Sequence, residues 1–278
     1  ISIKPLNSSM DRLFDKILVI PPGESYKKCV SKNPEHDTID LEKTLVQHEN
    51  YVRILEKHGI KVEKLPVQES YPDSIFVQDT ALIGEKSNTA SICRFGEPSR
   101  RGEEKVIAEH LKRDGYEIKE IQAPGTIEGG DILVTDKNKV FVGVSERTNE
   151  EGIDQLSRHF PKTEFVKVPV TEVFHLLSGV NFIGDGTLAI CPDIVDLSYF
   201  GEFDLVEIQR SDQNTKYKNK PINLMYLGDH KILMPDVYKF TKKILEDRGY
   251  TIITMDISEF WKGDAGTTCP MLPYYKRI

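Results

Sequence analysis

Tryptophan occurs once and cysteine four times in 278 residues. The cysteines (Cys29, Cys93, Cys191, Cys269) show no C-x-x-C spacing, so neither a zinc site nor a dithiol redox pair is indicated. Cysteines this sparse point to a reducing compartment, and a cytoplasmic location is the expectation. No apolar run approaches the roughly 18 residues that a membrane span requires. Acidic residues outnumber basic ones by 44 to 37, a net charge of −7, which argues against a nucleic-acid partner. An acidic chain sits comfortably with a cationic small ligand, though charge alone identifies none. No signal peptide is visible and the first residue is Ile1, so the natural start is left open. What is present, 38% hydrophobic and 29% charged residues, is ordinary globular composition with length enough for a substantial core.

One pattern recurs along the chain: strand, turn, strand, helix, strand. Its first copy has a strand at Lys16–Ile20, a helix over Asp40–Leu55 with Leu41, Leu45, His48, Val52 and Leu55 at helical spacing, and a strand at Ile60–Leu65. The second runs from Thr80 to Ile121 around a turn at Asn88, with a helix over Glu103–Arg113. The third runs from Asp131 to Val168 around Lys137-Asn138, with a helix over Glu150–Phe160. The fourth turns at Asp185-Gly186, a strong hairpin signal, with a short helix near Val195–Tyr199. The fifth turns at Gly228-Asp229 and carries a helix over Asp236–Arg248. Repeats of this size share one architecture, and units holding both helix and sheet close naturally as a ring around a pseudo-fivefold axis. The first copy lacks one hairpin strand, which Met271–Tyr275 could supply. The expectation is a single α/β domain spanning 1–278. Two segments break the pattern: Pro21–Ile39, long enough to be a lid, and Arg210–Pro221, polar and expected to be exposed and mobile.

The unusual residues fall at the junctions between units. Asp73 and Asp79 lie between one and two, Glu128 between two and three, His175 between three and four. Cys269 follows the fifth, at the end of Lys262-Gly-Asp-Ala-Gly-Thr-Thr-Cys269. That loop is stripped of bulk just before a single thiol, as a nucleophile approached closely by a ligand requires. Taken one at a time these residues have bland explanations. Cys269 could be a buried structural cysteine, His175 a core histidine on the apolar Val-Phe-His-Leu-Leu run, Glu128-Gly-Gly-Asp131 only a turn, and Arg100, Arg101 and Arg147 solvated charges. In a ring, however, the junctions share one pole. A thiolate with an imidazole to carry its proton, flanked by carboxylates, suits attack on an electrophilic carbon that bears positive charge, meaning a guanidinium or amidinium.

Six motifs, in this order, resemble one family: Pro72-Asp-Ser-Ile-Phe-Val-Gln-Asp79, Arg94-Phe-Gly-Glu-Pro-Ser-Arg-Arg-Gly-Glu103, Ala123-Pro-Gly-Thr-Ile-Glu-Gly-Gly-Asp131, Ser145-Glu-Arg-Thr-Asn149, Phe174-His-Leu-Leu-Ser178 and Gly266-Thr-Thr-Cys269. They are similar to the dimethylarginine dimethylaminohydrolases, of the guanidine-modifying superfamily with its five-bladed pentein fold. The resemblance runs from about Lys16 to Leu272 and is poor in the first loop and from about Pro192 to Pro221. It implies Cys269 as nucleophile and His175 as proton donor to the departing amine and later base for water. It implies Asp79 and Glu128 as holders of the guanidinium nitrogens, and Arg100 with Arg147 as the clamp on the substrate's α-carboxylate. Asp73 matches a residue near the α-amino end, with backbone contacts from about Val30 and from Gly263. No metal or organic cofactor is implied. Gln78 stands where the family usually has Glu, which removes one negative charge while keeping hydrogen bonding, and opens the question of which guanidine is the substrate. The superfamily's arginine deiminases and amidinotransferases remain alternatives, as does a non-catalytic binding protein on the same fold. The assembly state, a homodimer included, is left open.

Overall fold

The computed structural model describes residues 11–210 and 222–278. Most of the expected Arg210–Pro221 insertion therefore lies outside the described residues. Among the described residues fifteen strands and five α-helices alternate, an α/β arrangement of mixed sheets. The strands are β1 (Phe14–Val19), β2 (Lys61–Lys64), β3 (Ala81–Gly84), β4 (Thr89–Ile92), β5 (Glu117–Glu120), β6 (Ile132–Val134), β7 (Lys139–Val144) and β8 (Glu164–Pro169). They continue with β9 (Val180–Phe182), β10 (Thr187–Ile190), β11 (Asp204–Glu207), β12 (Met225–Gly228), β13 (Lys231–Pro235), β14 (Thr251–Met255) and β15 (Leu272–Tyr275). The helices are α1 (Leu41–Lys57), α2 (Glu104–Arg113), α3 (Glu150–His159), α4 (Lys239–Asp247) and α5 (Ser258–Lys262).

The repeat is visible in the pairing. In each unit two strands pair antiparallel and the second then pairs parallel with a third: β3-β4-β5, β6-β7-β8, β9-β10-β11 and β12-β13-β14. A parallel pair needs a crossover, and α2, α3 and α4 supply it in three of these units. In the fourth unit the crossover holds only the short 3-10 turn Leu197–Phe200, where a helix is expected near Val195–Tyr199. The hairpin turns share a signature: Asn88, Asn138, Asp185 and Asp229 all take positive φ, a conformation that Asn and Asp tolerate because their short side chains bond locally.

β15 pairs antiparallel with β1 through Ile17–Pro273 and Leu18–Leu272, so the C-terminal segment does complete the first unit. It also pairs parallel with β3 through Tyr274–Ile83 and Tyr275–Gly84. Units one and two are thereby fused into one six-stranded sheet, and the described strands form four sheets where five were expected. Residues from β1, β6, β9, β12 and β15 surround one small cavity, so strands of units one, three, four and five face a common centre, with Gln78, just before β3, standing for unit two.

α1 shows how sequence sets the layers. Asp40 caps it, its Oδ1 accepting from Lys43 N at 3.1 Å. Thr44, Gln47, His48, Tyr51, Val52 and Leu55 form its buried stripe, whereas Leu45 is 43% exposed. The expected stripe through Leu45 was therefore rotated. His48 and Gln47 go inside, with Gln47 accepting from Glu259 N at 3.0 Å, and an exposed Leu costs little. Asp40→Ala should lower folding stability by about 1 kcal/mol, read as a shifted urea midpoint at unchanged slope.

Candidate active site

Pro21–Ile39 is held against the segment that precedes Cys269. Tyr26 is buried, and its OH donates to Glu259 O at 3.0 Å. Ser31 Oγ donates to Lys262 O at 2.9 Å, Lys32 N to Asp264 Oδ2 at 2.7 Å and Asn33 Nδ2 to Trp261 O at 2.8 Å. Three of these four bonds end on α5, a helix too short to be expected from the sequence, and the fourth on Asp264 just beyond it. The loop is thus docked on the chain that carries the thiol.

Beneath it lies a cavity of about 100 Å³. Val30, Asp73, Gln78, Asp79, Arg100, Arg147, His175, Gly263 and Cys269 all line it, which is every expected site residue but one. The exception, Glu128, is fully buried and reaches the cavity by way of His175: its Oε2 lies 2.9 Å from His175 Nε2. Its Oε1 accepts from Glu97 N at 3.1 Å and lies 3.6 Å from Arg147 Nη1. The first partner of Glu128 is thus the imidazole, which stands between it and the cavity.

The pair is polarised. Burial opposes a charged His175, but Asp79, Glu128 and Asp131 outweigh it and hold the imidazole up at about 9. Burial likewise opposes an ionised Glu128, yet the bond to His175, with Arg100 and Arg147 nearby, holds it down at about 2. Near neutral pH this is an imidazolium donating Nε2–H to a carboxylate, leaving Nδ1 as the nitrogen Glu128 does not hold. The ring packs on Gly130, where an added Cβ would lie 2.5 Å from Nδ1, so only glycine lets the imidazole approach.

Arg100 is more committed than the sequence implied. It is buried, with Nη1 donating to Asp79 Oδ2 at 2.8 Å, Nη2 to Glu103 Oε2 at 3.0 Å and Nη2 to Phe76 O at 3.3 Å. Its fork is turned first toward Asp79 and Glu103, so a ligand carboxylate would have to share it. Arg147 has longer contacts, 3.8 Å to Glu97 and 3.6 Å to Glu128, and its guanidinium lies over the Phe174 ring at 5.5 Å. Asp79 completes its own set by accepting from Gly130 N at 2.8 Å. Asp73 accepts from Val30 N at 3.1 and 3.2 Å, and burial raises its carboxyl above the usual range.

Cys269 is half-buried, whereas Cys29, Cys93 and Cys191 are buried. Gly266 N donates to Cys269 Sγ at 3.4 Å, and Gln78 N donates to Cys269 O at 3.2 Å. Residues without an assigned role brace the site. Asp131, buried, accepts from Leu176 N at 2.9 Å and from Ser145 Oγ at 2.7 Å, tying the His175 and Arg147 segments together. Its place at the end of Glu-Gly-Gly-Asp was the available signal. Among the described residues two groups of side chains could offer metal ligands, each with atoms within 4.8 Å of one another: Asp79, Glu128 and His175, and Glu63, His110 and Asp114. In the first those groups already bond to each other, to Arg100 and to Gly130; in the second Lys16 Nζ sits 2.8 Å from Glu63. Among the described residues no helix is long and apolar enough to cross a membrane.

A model of the eukaryotic N,N dimethylarginine dimethylhydrolases matches residues 23–272. The chain belongs to the dimethylarginine dimethylaminohydrolase family. By family it is a hydrolase of guanidino carbon–nitrogen bonds. It is 32% identical over 240 residues to the N(G),N(G)-dimethylarginine dimethylaminohydrolase of Pseudomonas aeruginosa, covering 84% of this chain and 90% of that one. An uncharacterized protein of Aeropyrum pernix is 39% identical over 270 residues, covering 95% of this chain and 97% of that one. A solved structure of the Pseudomonas enzyme, a cysteine-to-serine mutant complexed with citrulline, superposes with a TM-score of 0.82 at 30% identity, covering 94% of this chain and all of that one. The family's α/β fold is accordingly the fold of this chain.

Proposed function

We propose that this member of the family hydrolyses an Nω-methylated arginine to citrulline and methylamine or dimethylamine. One observation carries the reading: the half-buried thiol of Cys269 and the imidazolium of His175 line the same small cavity, with Asp79 on its wall. The Cys269 thiolate adds to the guanidinium carbon, and His175 delivers its proton to the departing amine as that carbon–nitrogen bond breaks. An S-alkylthiouronium remains on the sulfur. Water then adds to the same carbon and the neutral imidazole takes one of its protons; the carbon–sulfur bond breaks to release the thiolate, and the second proton passes to solvent or the freed amine as citrulline forms. Asp79 holds guanidinium nitrogens, Arg147 with a share of Arg100 holds the α-carboxylate, and Asp73 with the Val30 and Gly263 backbone receives the α-amino end. The chain's own groups carry each of these steps without a metal or an organic cofactor. We further propose that the five three-stranded units close as the blades of one pentein domain spanning 1–278; the cavity that strands of units one, three, four and five share with Gln78 supports this.

Side-by-side product assays on dimethylarginine, monomethylarginine, arginine and agmatine test the reading. Methylamines should form fastest from the methylated arginines, and agmatine, lacking the carboxylate that Arg147 would hold, should be poorer by about 10²-fold or more in kcat/KM. Ammonia from arginine as the dominant product would make the chain a deiminase instead. Gln78, buried on the cavity wall in place of the family's Glu, is the residue to exchange in either case.

A further inference from the structure

The nucleophile's turn is held from outside by a residue to which nothing above gives a function. Asn223, just before β12, lines the cavity and is 8% exposed. Its Oδ1 accepts twice from one residue, from Thr267 N at 2.6 Å and from Thr267 Oγ1 at 2.9 Å. Thr267 is fully buried, and its carbonyl accepts from Tyr51 OH, on α1, at 2.8 Å. Every polar group of Thr267 is therefore fixed by side chains more than forty positions away in sequence. The residue before it is Gly266, whose N–H donates to Cys269 Sγ at 3.4 Å. A Cβ on Gly266 would lie 2.0 Å from Asn223 Nδ2, so glycine is what allows the amide to lie flat against this turn.

We propose that Asn223 is a positioning residue for the nucleophile, holding the Gly266–Thr267 step so that the Gly266 N–H points at the Cys269 sulfur. The physical consequence concerns the thiolate more than the thiol. A backbone N–H aimed at sulfur stabilises the anion preferentially, which lowers the pH at which it forms and fixes its line of approach. Without the Oδ1 anchor, Thr267 N–H and Oγ1–H lose their acceptor, the turn gains freedom, and the Gly266 N–H is no longer held in line with the sulfur. The inference rests on Cys269 being the nucleophile, as proposed above.

The test is the pH dependence of iodoacetamide alkylation at Cys269, followed by mass spectrometry in the full chain with kcat and KM measured alongside. Asn223→Ala should move the alkylation midpoint up by about half to one pH unit and lower kcat by about 30- to 100-fold, with KM within about threefold. Thr267→Val removes only the hydroxyl bond from a side chain of the same shape and should move both quantities the same way by less; it carries the test if Asn223→Ala does not fold. A lowered melting temperature with midpoint and kcat unmoved in the folded variants would show a merely structural amide and overturn the proposal. If alkylation of Cys269 in the parent chain leaves turnover intact, the nucleophile assignment itself fails, a result recognisable before any variant is made.

Discussion

Cys269→Ser should lower turnover by about 10⁴-fold or more while substrate affinity stays within about threefold. The hydroxyl occupies the place of the sulfur, and Gly266 N can still donate to it, so the turn keeps its shape. What is lost is the nucleophile. A serine hydroxyl in this cavity has no general base poised to take its proton, because His175 is held charged up to about 9 by Asp79, Glu128 and Asp131. A thiol needs no such base once it has ionised, and a thiolate beside an imidazolium is a stable pairing near neutral pH. The cationic substrate, Arg147 and Asp73 are untouched, so binding persists. Amine release by the variant and calorimetric titration with the same methylarginine separate the two quantities. Turnover above about one per cent of the parent would end the assignment of Cys269, and loss of binding with turnover would point to misfolding.

Much of this was readable before coordinates, for reasons that differ by element. The hairpins were legible because Asn88, Asn138, Asp185 and Asp229 punctuate alternating apolar strands, and each takes the positive φ its residue type tolerates. The junction argument placed Cys269 and His175 in one cavity without a contact map, because a repeated unit brings equivalent ends together. α5 went unseen since five residues are too few for a periodic signal, and its stability comes from Tyr26, Ser31, Asn33 and Lys43 of the first unit packing and bonding around it. The fusion of two units through β15 and β3 was equally hidden, for edge pairing depends on how neighbouring units abut. At the site, residue types were informative and partners were not. Sequence marks Glu128 and Arg100 as charges in motifs, but only packing reveals that Glu128 lies behind His175 and that Arg100 answers first to Asp79 and Glu103. Asn223 shows the same limit: an amide just before a strand gives no hint that it grips Thr267, forty-four positions on.

Glu128→Gln should bring the alkaline limb of the kcat/KM profile down from about 9 toward the ordinary histidine range and cut kcat by about 10²-fold at pH 8. Glutamine keeps the shape and can still accept from Nε2–H, so the ring stays in place while the charge that favours its protonated form is gone. Asp79 and Asp131 remain, and the limb should therefore stop short of the ordinary value of 6.5. The same pair links stability to pH in two directions. His175 titrates higher folded than unfolded, so its contribution is full below about 6.5 and fades as pH rises through about 9. Glu128 titrates lower folded than unfolded, so its contribution is present above about 4.5 and fades as pH falls toward 2. The parent should be relatively most stabilised by this ion pair between those limits, and Glu128→Gln should flatten the dependence at both ends. Melting curves from pH 2 to 10 beside the rate profile check both statements on one preparation. A limb that stays at 9 in the variant would assign the titration to another group and remove His175 as the acid, whichever of its two acceptor roles, to His175 or to Glu97 N, the amide gives up.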